Sequence, residues 1–219
     1  MSATMMKRER VLDPLERMSE VLFGLIMVLS FTCSMSIAEA GREEVRSVLI
    51  GAIGCNFAWG LIDAVMYLMA ILIERGRSLS IGRAVRASGD ADHGRELLAE
   101  ALPEPFDTLF EKSALESARA KLVAHPALQR RPRLVARDWL GAIGVFLLVF
   151  SSTFPVVVPF LLISPLHTAM RVSNGVAIAM LYIVGHRLAR FAGLKPVMTG
   201  LSMVALGVVL VGITIALGG

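Results

Sequence analysis

Residues 47–73 read SVLIGAIGCNFAWGLIDAVMYLMAILI, 27 positions with a single formal charge, Asp63. A helix rises 1.5 Å per residue, so about 20 apolar residues already cover the hydrocarbon of a bilayer. A run of this length and purity is longer than a buried core helix needs. In lipid the backbone must satisfy its own hydrogen bonds, which makes the run a helix. Working outward, four more such runs lie at roughly 19–39, 139–164, 172–190 and 197–217. The sequence therefore predicts an all-α, polytopic integral membrane protein with five transmembrane helices. A helical cytoplasmic insert falls between helices two and three.

Composition agrees. The chain has 219 residues, 55% apolar and 18% charged, against about 45–50% and about 25% in soluble domains. Mean hydropathy is +0.68. Disorder is excluded and an ordinary soluble enzyme is disfavoured. The net charge of +4 matters less than its placement: nineteen basic residues fall on one side of the five runs and three (Arg42, Arg46, Arg171) on the other. The positive-inside rule then places the N-terminus in the cytoplasm and the C-terminus outside. The expected divisions are a cytoplasmic segment over 1–18, helices one and two over 19–75, the insert over 76–137, and helices three to five over 138–219. Asp13-Pro14-Leu15-Glu16 predicts a helix start at Pro14. In the insert, short helices are expected at 93–102 and 106–124, with Ser113 to Glu116 as a turn signal or capping box. The Ala, Gly and Arg content suits a bacterial plasma membrane.

Asp63 is the sharpest chemical feature. A carboxylate at membrane depth costs roughly 2.5–3.5 kcal/mol and commonly marks an ion or proton path. Asn56, Gly60, Asp63 and Tyr67 are spaced by four, three and four, one helical face. Trp59 and Met66 flank it. Were helices one and two antiparallel neighbours, Met27 would share the depth of Asp63. A carboxylate with thioethers would suit Fe²⁺ or Mn²⁺; a protonated Asp63 that merely bonds a neighbouring helix, and methionines that merely pack, are the plainer alternatives. Pro155 and Pro159 each remove a backbone donor, which predicts a kinked or broken third helix whose freed carbonyls line a path or simply shape it. Glu39 stands at the outer end of helix one, as part of an exit ring or a solvated turn. His93, Glu96 and Glu100 share a face in the insert, a metal-capable spacing that solvation explains equally well. No phosphate loop, dinucleotide glycine fingerprint, HExxH or Cys-x-x-Cys occurs, so no enzyme, no permanently bound cofactor and no nucleic-acid partner is expected.

The pattern also resembles a known family. Val21-Leu22-Phe23-Gly24-Leu25, Asn56-Phe-Ala-Trp-Gly60-Leu61, Pro155-Val-Val-Val-Pro159-Phe160 and the last helix from Gly207 to Gly218 are similar to stretches of the vacuolar iron transporters. The chain would be a divergent member. The resemblance implies a homodimer in the lipid bilayer, an antiporter exchanging Fe²⁺ or Mn²⁺ for protons. It places Met27 where that family carries a helix-one acid, Trp59 where it carries the acid before Gly60, and Asp63 at its helix-two methionine, with Met66 a turn on. On this reading Asp63, Met27 and Met66 hold the metal, with Asn56 orienting Asp63. Tyr67, Pro155, Pro159 and Glu39 support the path. Two other functions fit the same helices: a non-transporting scaffold or sensor, and an exporter of another small solute with Trp59 and Tyr67 lining its pocket.

Overall fold

The computed structural model describes residue 12 and residues 14–34, 42–102, 109–125 and 131–216. Among these residues the structure is helix and turn, with no strand. The helices are α1 (Pro14–Ser34), α2 (Arg42–Ala87), α3 (Ala91–Glu100), α4 (Lys112–Ala124), α5 (Ala136–Leu162), α6 (Leu166–Ala192) and α7 (Pro196–Ala216). The chain forms two units, Met1–Tyr67 with Arg137–Gly219, and Leu68–Ala136.

The first unit is a helix bundle. Its helices start and stop where local chemistry directs. Pro14 and Pro196 occupy first helical positions, where a missing N–H costs nothing. Gly193 at φ 70° ends α6 in the left-handed region open to glycine, and the Leu194 N–H closes back on the Ala189 carbonyl at 2.9 Å. Three residues then separate α6 from α7, which makes the two antiparallel neighbours. The core joins Leu22, Leu25, Val28 and Leu29 of α1 to Ala52 of α2, Val156 and Val157 of α5, and Ala177 and Leu181 of α6. Small residues set the helix spacing: a Cβ on Gly200 would stand 2.8 Å from the Tyr182 ring, and one on Gly207 would stand 2.9 Å from Leu181.

The outer faces are as apolar as the core. Leu61, Ile62 and Val65 of α2, Ile143 and Leu147 of α5, and Leu201, Val208 and Ile213 of α7 are all exposed. Water would penalise such a surface and lipid would not. Four helices among the described residues are long and apolar enough to cross a membrane: Leu49–Ala87, Ala136–Leu162, His167–Ala192 and Pro196–Ile213. That architecture is compatible with an integral membrane protein.

Two sequence expectations change here. The second helix does not stop near residue 75. Residues 74–87 hold no proline, and the helix continues to Ala87. Pro155 and Pro159 do not break α5, which is one helix through both. Proline forfeits its own N–H bond, but the remaining bonds and the packing of the buried Pro159 and Phe160 carry the helix across.

In the second unit, Ser88 to Asp90 separates α2 from α3. Asp90 caps α3, accepting from the N–H groups of Asp92 at 3.1 Å and His93 at 3.4 Å. Glu116 joins α3 to α4: it accepts from Arg119 at 2.7 and 2.9 Å and from Arg95 at 3.0 Å. Arg95 also pairs with Asp92. The capping box proposed at Ser113 does not form. Helix α4 starts two residues earlier, at Lys112 with Glu111 as its N-cap, and Glu116 is drawn to the two arginines instead. At the far end of α4 the Arg86 guanidinium donates to the carbonyls of Leu122 (3.1 Å), Val123 (3.3 Å) and His125, satisfying acceptors the helix leaves open.

Candidate functional site

The site is built on three helices of the bundle. Gly24 of α1 has no side chain, and α5 comes so close that a Cβ there would overlap Ser152 Oγ and stand 2.7 Å from the Val149 carbonyl oxygen. Into this junction α2 inserts Asn56, fully buried. Its amide donates to the Gly24 carbonyl at 3.1 Å and to Thr153 Oγ1 at 2.6 Å. Ser152 Oγ donates to the Val149 carbonyl at 2.7 Å, and Ser173 Oγ of α6 donates to the Val156 carbonyl at 2.6 Å. The result is a polar layer in an apolar bundle. In such a medium, hydrogen bonds between helices fix register, because an unpaired polar group is costly.

Aromatic contacts carry the same register outward. Phe23 meets the Trp59 ring edge-on at 5.8 Å. Phe57 meets Phe146 at 5.3 Å and Phe150 at 6.0 Å. Further along α2, a Cβ on Gly60 would stand 3.2 Å from Phe146, and Tyr67 packs on Gly141. Residues that ascend along α2 therefore descend along α5. Leu12 lies against Gly144, ahead of the Gly24 contact with Val149, so α1 runs parallel to α5 and antiparallel to α2.

This register places each predicted residue. Gly24 stands opposite Asn56 and Phe23 opposite Trp59. Met27 is therefore level with residues near 53, not with Asp63; ten residues of helix separate those levels, about 15 Å. The expected pairing of Met27 with Asp63 is not made, because the helices are offset by the Gly24–Asn56 contact. Asn56 does not orient Asp63 either. Its amide is spent on Gly24 and Thr153, and Asp63 lies seven residues on, about 10 Å along the axis. Met66 is 57% exposed, on the outer face of α2. Tyr67 lies on the α5 side. Pro159 is buried and Pro155 exposed. Glu39 lies outside the described residues.

Four side-chain atoms of the described residues are buried without a hydrogen-bond partner: Arg17 Nε, Asn56 Oδ1, Asp63 Oδ2 and His186 Nδ1. Two of these residues, Asp63 and Asn56, are ones the sequence singles out. Arg17 was missed, since from sequence it reads as one of several cytoplasmic bases. Thr153 was missed too, as one hydroxyl among many; its signal is the Ser-Ser-Thr cluster just before Pro155. No set of three His, Cys, Asp or Glu converges on a metal-sized site among the described residues. His93 and Glu96 are 3.8 Å apart and both solvated. Compared with protein-family models and with curated proteins, the sequence matches none.

Proposed function

We propose that this is a five-span membrane protein that exchanges a divalent cation, Fe²⁺ or Mn²⁺, for protons, with Asp63 as the carboxylate that takes either one. In this reading α1 is the fifth span, beside α2, α5, α6 and α7. The residues from 76 to 137 lie in the cytoplasm with the N-terminus, as the distribution of basic residues suggests. One observation carries the proposal. Asp63 is the only charged residue from Ser47 to Ile73, and its Oδ2 is buried with no partner. A carboxylate kept in an apolar helix without a protein donor is poised for a cation or a proton. The resemblance to vacuolar iron transporters supports the choice of ion and a homodimeric state in the bilayer. Met66, exposed one turn from Asp63, would be a thioether ligand from the outer face or across a dimer. Met27 has no place in the same shell.

The offset of Met27 favours a second reading, a scaffold or sensor on the same helices in which Asp63 only holds α2 in place. Proteoliposomes decide between them. Fe²⁺ or Mn²⁺ gradients should drive a proton flux across vesicles holding the protein, compared with Zn²⁺ and Co²⁺, and Asp63→Asn should abolish it. A flux that survives Asp63→Asn, or no metal-driven flux at all, sinks the exchanger.

A further inference from the structure

Arg17 Nε and Asp63 Oδ2 belong to opposite charges on adjacent helices, and each is buried without a partner. Helix geometry puts the two residues at about one level. Seven residues return a helix to within about 20° of the same face. Seven back from Gly24 on α1 is Arg17, and seven on from Asn56 on α2 is Asp63. Gly24 and Asn56 are joined across the interface at 3.1 Å and the helices are antiparallel, so Arg17 and Asp63 fall at about the same level, two turns further along the same two helices. The neighbouring Phe23–Trp59 contact agrees with that register to within two residues. The other ionisable groups toward this end of the bundle are Glu20 on α1, Tyr67 on α2, Arg137 and Asp138 at the start of α5, and His186, Arg187 and Arg190 on α6. Asp138 is itself buried and engaged in other interactions.

We propose that Arg17 is the tethered counter-cation of Asp63: the pair stands open in this conformation, and in a second, closed one the guanidinium pairs with the carboxylate in competition with any other cation. The proposal rests on Asp63 as the cation-binding group, and it adds a competitor. A transported ion has to displace Arg17, so the arginine weakens resting affinity and guards the carboxylate against leaving its charge uncompensated in lipid. Arginine suits this role because it stays charged under all conditions and its planar fork matches a carboxylate. Its position in the first turn of α1 also lets its long stem withdraw toward the membrane surface when displaced.

Two measurements on the full-length protein in detergent test this at one fixed pH. The first is a thermal-unfolding cycle of wild type, Arg17→Gln, Asp63→Asn and the double variant, without added metal. Each single change strands a charge and the double change strands none, so the double variant should be less destabilised than the sum of the singles. Additive effects would overturn the ion pair. The second is Mn²⁺ titration. Removing the competitor should tighten Mn²⁺ binding about tenfold in Arg17→Gln, the factor given by about 1.4 kcal/mol of lost competition, while Asp63→Asn removes binding in either background. Coupling together with unchanged Mn²⁺ affinity in Arg17→Gln overturns the competition. Coupling with no Mn²⁺ binding even in wild type overturns the competition and the exchanger reading together, and leaves a fixed structural pair.

Discussion

Replacing Gly24 by Ala should be among the most damaging single-methyl additions in the bundle. The new Cβ would overlap Ser152 Oγ, which can rotate, and would stand 2.7 Å from the Val149 carbonyl oxygen, which cannot. Ordinary contact begins at 3.4 Å, so α1 and α5 must part by the difference between 2.7 and 3.4 Å, about 0.7 Å. Overpacking of this kind costs about 1–3 kcal/mol. The displacement also stretches the 3.1 Å bond from Asn56 to the Gly24 carbonyl, worth about 1 kcal/mol. Alanine's better helix propensity returns up to about 1 kcal/mol. The net loss is about 1–3 kcal/mol, which for a chain of this size lowers the melting temperature by roughly 2–12 °C. Gly54 is the control: no atom lies within 4 Å of its would-be Cβ, so Gly54→Ala should leave the melt unchanged or raise it. Adding Ser152→Ala to Gly24→Ala should recover only part of the loss, because the carbonyl contact remains. Thermal melts of the detergent-solubilised protein by far-ultraviolet circular dichroism read all four. If Gly24→Ala melts like wild type, or shifts no more than Gly54→Ala, the close α1–α5 contact and the register built on it are wrong.

Two further outcomes concern other layers of the molecule. Asn56→Leu keeps the branched shape but removes the bonds to the Gly24 carbonyl and the Thr153 hydroxyl, and should destabilise by about 1–3 kcal/mol in denaturant titrations; a neutral result would remove Asn56 as the pin of three helices. In the second unit, the Arg119 guanidinium foremost, with Arg95 beside it, holds the Glu116 carboxyl at about 2, below its usual 4.5. A lowered carboxyl pKa means that its stabilisation is full above the usual value and is lost as pH falls from 4.5 toward about 2. Hydrogen exchange across α3 and α4, corrected for intrinsic rates, should therefore quicken over that window in wild type. In Glu116→Gln it should be faster near neutrality and indifferent to the window. Equal exchange in the two proteins would show that the Arg95–Glu116–Arg119 cluster does not hold α3 to α4.

Much of the fold was legible because hydropathy is a local property. Residues 139–164 and 197–217 announce α5 and α7 to within three residues, and Pro14 marks a helix start, since proline at a first position needs no partner elsewhere. The end of α2 was not legible: the change from apolar to charged residues near Glu74 marks a change of surroundings, not a break in the backbone. The Ser113–Glu116 capping box failed for a related reason. A capping signal is a local option, and two arginines brought near by folding outbid it for the Glu116 carboxylate.

For the site, the sequence alone determined that one carboxylate, Asp63, stands in an apolar helix, and that Asn56, Gly60 and Tyr67 share its side. The tertiary structure decided what those residues meet. Helical periodicity fixes angle and rise within one helix, but the offset between two helices depends on which contacts they make. Here a side-chain-free Gly24 lets α1 close on α5, and the Asn56 amide locks α2 to both. That contact moves Met27 about 15 Å from the level of Asp63, and puts the first turn of α1 near that level instead.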